Sequence, residues 1–359
     1  MKSVCLVMTV KDEAAVVRRC LDSVKAVIDY WVICDTGSTD GTQEIIRQGL
    51  EGIPGELHET PWVDFGHNRS LSLNLARGRA DYHLLLDADM TVNGDGNGPL
   101  TPALSPSEGE RGNCFQSGKG MERGVGDQVE ADSYWVREEG EAECWVERLV
   151  SDRHQWRFVG AARPFLHSAT SSTRAKLKEL SITRHEEAAA HRAQCQKEVE
   201  LLKQSLERGS NVPRTTFHLA QCYRDLGNLP LAIEYYEKRA TMGGWAEEVW
   251  YSMYQVARLQ QRLGIAWMLV LDQYLRAYEF RPSRIEPLYH VARYYREKGQ
   301  LDLGRLFAQA GLGSEYPDDL LFIERGVYEG GLREEHEMCC ARTGDVGPEV
   351  EPLICADNR

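Results

Sequence analysis

Two carboxylates close an apolar run in DYHLLLDAD (81–89), where Asp87 and Asp89 flank Ala88. On an extended strand the i, i+2 spacing puts both side chains on one side of the pleat, aimed past the sheet edge. Such a pair can hold a divalent cation, and Mg2+ or Mn2+ held by one or two carboxylates keeps waters and substrate phosphates as its other ligands. The chemistry to expect is that of a nucleotide diphosphate; the plainer reading is a solvated turn after a strand. A second segment, CDTGSTDGT (34–42), joins an apolar run to a helical one. Asp35 can accept from a base N–H or a ribose hydroxyl, Gly37 permits a tight backbone, and Ser38, Thr39 or Asp40 can cap a helix starting near Thr42. The same residues would also serve an ordinary capped turn between strand and helix.

The elements that position these acids follow from the alternation of short apolar runs with amphipathic stretches over residues 1–90, the pattern of β/α units around a mostly parallel sheet. Strands are expected at 3–10, 30–36, 56–62 and 81–89. Helices are expected at 13–27, with Val16, Val17, Cys20, Leu21 and Val24 on one face, and at 65–76. In open α/β sheets ligands collect at the carboxyl ends of the strands. Asp12, Asp35, Asp87 and Asp89 all fall there. Further strands are read at SYWVREE (133–139), CWVERLV (144–150) and WRFVG (156–160).

Between them, residues 93–128 are rich in Gly, Pro, Ser and Glu and have no apolar period. Such a segment cannot bury enough surface to offset its ordering entropy, which predicts a disordered insertion. Its string PLTPALSPSEGERG resembles translated intergenic repeats of some bacterial genes; the other reading is an active-site lid.

After residue 177 the chain reads as helical and repetitive. Ala220, Ala257 and Ala292 recur at intervals of 37 and 35 residues, and Gly227, Gly264 and Gly299 follow each by seven. A period near ~34 with a small residue, then Tyr, Gly, Ala and an aromatic resembles tetratricopeptide (TPR) helix pairs. Aromatics such as Tyr223, Tyr236, Trp250, Tyr254 and Tyr295 are expected in the interhelical core, not as a sugar platform. The fold class expected is α/β plus all-α: a first domain over 1–176 containing the 93–128 insertion, a TPR-like domain over 177–345, and a tail over 346–359.

Composition narrows the partners. The 359 residues carry 42 basic and 55 acidic side chains, a net charge of −13, which disfavours nucleic acid and anionic lipid. No apolar run approaches the ~18 residues of a membrane span. Ten scattered cysteines include no C-x-x-C pair, a pattern expected of a reduced, cytoplasmic protein. The terminal GDVGPEVEPLICADNR has little pattern, which leaves a truncated or frameshifted end open.

VMTVKDEAAVVRRCL (7–21), DTGSTDGT (35–42) and LLLDADM (84–90), in that order, resemble the family 2 glycosyltransferases of GT-A fold. DFGHNRSLSLNLA (64–76), RLVSDRHQWRFVG (148–160) and FHLAQCYRDLG (217–227) extend the resemblance to a bacterial subgroup in which this domain precedes a TPR-like one. The resemblance implies an inverting transfer from a nucleotide-diphosphate sugar, a UDP-sugar above all, with Mn2+ or Mg2+. It implies that Thr9, Lys11 and Asp12 border the nucleotide, that Asp35 reaches uracil or ribose, and that Arg69 approaches the pyrophosphate. Asp87 and Asp89 would then serve ribose and metal, and the helical domain would hold a peptide or protein acceptor. Arg69 also has a plainer reading as a solvent-facing helix residue. The subgroup's His-Glu pair after the W-R-F-V strand is replaced here by Arg163-Pro164, and its later Asp-Gly-Gly stretch by RHEEAAAHRAQ (184–194). Inverting transfer needs a base for the acceptor proton. Asp152 and His185, then His167 and Glu187, are the candidates, and a catalytically weakened scaffold is the competing reading.

Overall fold

The structure is a computed structural model describing residues 2–94, 131–140, 142–160, 162–185 and 187–343. The predicted insertion and tail therefore lie outside the described residues, apart from Asn93 and Gly94. The chain forms two compact units, the first ending at Gln194 and the second starting at Cys195, with 141–143 grouped with the second.

The first unit begins with strands β1 (Val4–Val10) and β2 (Tyr30–Asp35), each apolar nearly throughout because both sheet faces are covered. Helix α1 (Val17–Val24) lies between them, and α2 (Thr42–Gly49), β3 (Gly55–Glu59), α3 (Phe65–Ala76) and β4 (Tyr82–Leu85) follow. Then come β5 (Met90–Gly94), β6 (Ser133–Glu139), β7 (Cys144–Ser151), β8 (Arg157–Val159), β9 (Phe165–His167) and β10 (Arg174–Arg184). One sheet runs in the order β3-β2-β1-β4-β7-β6-β10-β5, and β8 pairs with β9 separately. The first four strands are parallel, whereas β7 is antiparallel to β4, β6 to β7 and β5 to β10.

Side chains alternate between the sheet's two faces. Leu6, Met8 and Ile33 pack against Val17, Cys20, Leu21 and Val24 of α1 and Ile46 of α2 on one side. The α1 stripe at i, i+3, i+4, i+7 is fully buried, and each large aliphatic side chain in it contributes about 1.5–3 kcal/mol. Cys5, Val7, Val32 and Leu85 face the other way, against Leu73 and Ala76 of α3. That helix is capped by Asp64, whose carboxylate accepts from His67 N–H at 2.7 Å. It is pinned to β8 where Phe158 N–H donates to Ser70 Oγ at 2.9 Å.

Several predicted boundaries move. Helix α1 starts at Val17 instead of residue 13, because Asp12 takes a left-handed φ of 53° and Glu13–Val16 form a turn closed by Val16 N–H on the Glu13 carbonyl at 3.0 Å. The fourth strand stops at Leu85; Asp87–Met90 is a turn, with Met90 N–H on the Asp87 carbonyl at 3.2 Å. The pleat argument for the two aspartates therefore fails locally, although the turn keeps both together. Strand β10 continues to Arg184, hydrogen-bonded to β6 and β5, so the α/β unit runs past residue 176 and the division falls inside helix α4 (Ala188–Glu207).

The second unit continues with α5 (Val212–Asp225), α6 (Leu229–Thr241), α7 (Ala246–Arg262), α8 (Trp267–Phe280), α9 (Glu286–Glu297), α10 (Leu301–Gly311) and α11 (Leu332–Thr343). Gly227, Gly264 and Gly299 terminate α5, α7 and α9 with φ of 81°, 71° and 74°. The residue after each donates to a carbonyl five residues back, Asn228 to Tyr223, Ile265 to Gln260 and Gln300 to Tyr295. This is the Schellman stop, which favours glycine because L side chains resist that φ. Ala220, Ala257 and Ala292 are fully buried, where only a small side chain lets neighbouring helices close. The repeated alanine and glycine positions thus mark three TPR-like helix pairs, and Tyr236, Trp250 and Tyr254 fill the core between helices. No helix of the described residues is long and apolar enough to cross a membrane.

A Cβ on Gly66 would stand 2.5 Å from the Gly160 carbonyl oxygen, where α3 meets the end of β8. Gly66→Ala should therefore displace α3 and lower stability by about 1–3 kcal/mol, read as a reduced urea midpoint for the first unit. An unchanged midpoint would show that this approach is not tight.

Candidate functional site

The carboxyl ends of β1 and β2 are laced together by their loops. Asp12 N–H donates to Ser38 Oγ and Thr39 N–H to the Asp12 carboxylate, each at 2.8 Å. Glu13 N–H donates to Thr42 Oγ1 at 2.8 Å, and Ala14 N–H to the Asp40 carboxylate at 2.9 Å. Asp35 is fully buried. One of its oxygens accepts from Gly37 N–H, Ser38 N–H and Ser38 Oγ at 3.1, 2.9 and 2.8 Å, and Gln43 Nε2 donates to the other. Its carboxylate organises the turn through these bonds. Thr9 is bonded to Ser72 Oγ at 2.8 Å, and Lys11 is exposed.

Beyond β4 the charges converge. Arg69 of α3 bonds Asp87. Arg184 at the end of β10 donates to the Asp89 carboxylate at 2.9 Å and to Asp87 at 3.2 Å, tying the two acids together. Arg148 of β7 stands 3.7 Å from Asp87 and 3.4 Å from Glu138 of β6, which Arg184 also bonds at 3.1 Å. Three guanidiniums thus face three carboxylates. Burial alone would raise the Asp87 carboxyl, but the charges of Arg69, Arg148 and Arg184 hold it far below the ordinary carboxylate range. Glu138 is lowered in the same way, burial being outweighed by Arg148 and Arg184. Thr9, Arg69, Ser72, Asp87, Arg148 and Phe158 line a small pocket here, with the Arg69 guanidinium 5.7 Å from the Phe158 ring centroid.

Among the sequence-predicted residues, Arg69, Asp87 and Asp89 are brought together, and the solvent-facing reading of Arg69 is corrected. His185 joins them: its N–H donates to the Asp89 carbonyl at 2.8 Å, and Nε2 lies 2.7 Å from Thr91 Oγ1. Asp152 does not. It follows Ser151, which is registered opposite Tyr82 at the start of β4, and its carboxylate bonds His83 Nε2 at 3.0 Å and Gly78 N–H at 3.1 Å. That is the amino end of the strand, about 15–20 Å of extended chain from Asp87, so Asp152 is a structural clamp. His167 on β9 and Glu187 before α4 are exposed. Arg148, Arg184, Glu138 and Glu13 were missed by sequence reasoning. Arg148 and Arg184 stand in apolar β-runs, and an inward-facing arginine on a strand was the available signal.

Asp87 and Asp89 are hard oxygen donors held side by side, a set that suits Mg2+ or Mn2+ better than a soft metal. Glu13 responds to the same charges. Burial first, then Asp89, Asp87, Asp40 and Asp12, raise its carboxyl from 4.5 to about 7.

Residues 5–104 match the family model for glycosyl transferase family 2. Over 90 residues, a quarter of its length, the chain is 40% identical to a TPR repeat-containing protein of Synechococcus elongatus, and the match spans 21% of that relative. Two solved structures are similar at low scores. MamA of Desulfovibrio magneticus RS-1 is 14% identical, covering 44% of this chain and 91% of that one at a TM-score of 0.31. The C-terminal part of a TPR repeat-containing protein from Cytophaga hutchinsonii is 16% identical, covering 43% and 60% at 0.32.

The Glu13 shift makes a stability prediction. Between 4.5 and about 7 the folded chain holds a proton on Glu13 that the unfolded chain has released, so its contribution to stability falls as pH rises through that window. In chelated buffer, Glu13→Gln should gain stability over the native chain at pH 8 and show little difference at pH 4. Parallel urea curves at the two pH values would refute the assignment.

Proposed function

We propose that the carboxyl end of β4 is the donor site of a glycosyltransferase that uses a nucleotide-diphosphate sugar, a UDP-sugar above all, and that Asp87 and Asp89 hold Mn2+ or Mg2+. The convergence of Arg69, Arg148 and Arg184 on those two aspartates carries this reading. A cation on the aspartates would leave the three guanidiniums opposed by Glu138 alone, a surplus of two positive charges. That surplus matches the charge on a sugar nucleotide's diphosphate.

The bound cation would supply neutralisation of the charge that builds on the leaving diphosphate. Arg69 and Arg148, released from Asp87, would turn to the phosphate oxygens as rigid multidentate donors. His185 would brace the Asp89 turn through its backbone N–H. A single displacement at the anomeric carbon inverts it, and the helical unit would present the acceptor, a peptide or protein. Lys11 and Asp12 would border the nucleoside at the mouth of the β1 loop.

A second reading, a weakened enzyme acting as a scaffold, draws on one specific observation. Arg163 and Pro164 stand at the expected His-Glu positions, with Arg163 at a left-handed φ of 45°, and Glu138 is bound by two arginines.

Calorimetry with UDP and a panel of nucleotide sugars, with and without Mn2+, tests the site. Asp89→Asn should weaken Mn2+-dependent UDP affinity by roughly tenfold or more in a chain that still melts cooperatively; unchanged affinity would refute the aspartate assignment. Donor turnover separates the two readings. If the base is missing, the double variant Arg163→His, Pro164→Glu should gain rate at constant UDP affinity, up to the ~10²–10⁴-fold typical of general acid–base assistance. A brisk native rate that the variant does not raise would exclude the scaffold.

A further inference from the structure

The second unit contains a set of metal-ligating side chains that the donor site does not use. Cys195 and Glu198 are three residues apart on α4 and so share a face of that helix; Cys222 and Asp225 do the same on α5. The ligand atoms of Cys195, Glu198 and Cys222 lie within 4.8 Å of one another, and all three residues are buried. The Asp225 carboxylate lies within the same distance of Cys195 Sγ. His191 occupies the position one turn before Cys195 on α4.

We propose that Cys195, Glu198 and Cys222, with Asp225 beside them, form a structural zinc site that ties α4 to α5. The residue chemistry and the spacing agree. Zn2+ takes thiolate sulfur at about 2.3 Å and carboxylate oxygen at about 2.0–2.2 Å, which sets tetrahedral edges of roughly 3.5–3.7 Å. Cys222 Sγ already stands 3.5 Å from Glu198 Oε2, one such edge. The other two edges of the trio start within 4.8 Å, so closing them requires contractions of at most about 1.3 Å, within the reach of side-chain rotation.

Binding would release two thiol protons to solvent, leaving two thiolates and the Glu198 carboxylate around the cation. A thiol is a weak hydrogen-bond donor. A divalent cation offsets the desolvation of a carboxylate far better than a thiol hydrogen bond does. The two cysteines are 27 residues apart on different helices, so no short cysteine motif announces them. The inference stands on the helical unit alone and is independent of the donor-site reading.

The test uses the full chain, reduced, stripped with chelator and desalted, then titrated with Co2+ alone. One equivalent should give the near-ultraviolet thiolate-to-cobalt charge-transfer band and tetrahedral visible bands, and Zn2+ should abolish both. Cys195→Ser and Cys222→Ser should each remove the band, whereas the double variant Cys339→Ser, Cys340→Ser should keep it. Because a serine in the helix core can prevent folding, Glu198→Gln, which retains both thiols, provides the second arm and should weaken Co2+ binding by about tenfold. Zn2+ should also raise the native melting temperature. Absence of the band in the native chain would overturn the proposal, as would its survival in the Cys195 and Cys222 variants or unaltered Co2+ affinity in Glu198→Gln.

Discussion

The α/β unit depends on keeping Asp87 charged at the end of a buried strand. Desolvation works against Asp87, and an isolated carboxylate there would take up a proton or pull the turn into solvent. Three guanidiniums prevent this. They come from α3, β7 and β10, elements far apart in sequence, so the charge balance also fixes how the sheet must be assembled. Strand β7 has to run antiparallel to β4 for Arg148 to sit beside the strand end, and β10 has to extend to Arg184 to span both acids. Burying an ion cluster is seldom a net gain in stability compared with an apolar core, but losing one member leaves an uncompensated charge. The arrangement therefore favours one geometry strongly without adding much to the folding free energy.

The helical unit solves a different problem with the same elements repeated. Its helices stop at glycines in the left-handed region and pack through buried alanines, so successive pairs have nearly equal connections. Its buried charges are locally matched. Arg239 is fully enclosed and bonds Glu248 through two nitrogens at 3.1 and 3.0 Å. Arg284 lies 3.8 Å above the Trp250 ring and is held by Glu286 and Asp319. These pairs fix helix register from inside the core, where slippage would leave a guanidinium unpaired.

The sequence was informative where a local rule controls the outcome. Strand and helix order in the first 90 residues, the α1 stripe and the recurring glycine stops were legible because periodicity and left-handed turns are encoded within a few residues. The grouping of Asp87 with Asp89 was legible through their position after a strand, whereas the placement of Arg69 beside them was implied only by the family resemblance. Asp152 was misplaced because a carboxylate after a strand looks alike at either end of a sheet, and only the antiparallel pairing of β7 shows which end it occupies. For Asp35 both a ligand acceptor and a capped turn were open, and the hydrogen bonds it makes to Gly37 and Ser38 are those of the turn, a local use that its residue type alone does not separate from binding. The pairing of Arg148 and Arg184 with the aspartates was illegible for a topological reason: they are separated from them by the 93–128 segment and face them only after β7 and β10 are inserted into the sheet.

That separation bears on what the family match can mean. Residues 5–104 include the laced β1 and β2 loops, Arg69 and both aspartates, but neither Arg148, Arg184 nor Glu138. Two of the three guanidiniums therefore lie outside the matching stretch, on strands whose partners are set by the sheet as a whole. A fragment ending near residue 104 would leave Asp87 with Arg69 alone, and Asp89 without Arg184, its ion-pair partner. The carboxylates would then be expected to repel each other and loosen the turn. The charge surplus invoked for a diphosphate would fall from two to one, since a single guanidinium would remain beside a cation-bearing pair. The carboxylates that suit a cation and two of the three guanidiniums that suit a phosphate thus come from different halves of the sheet, and their meeting depends on the register between β4 and β7.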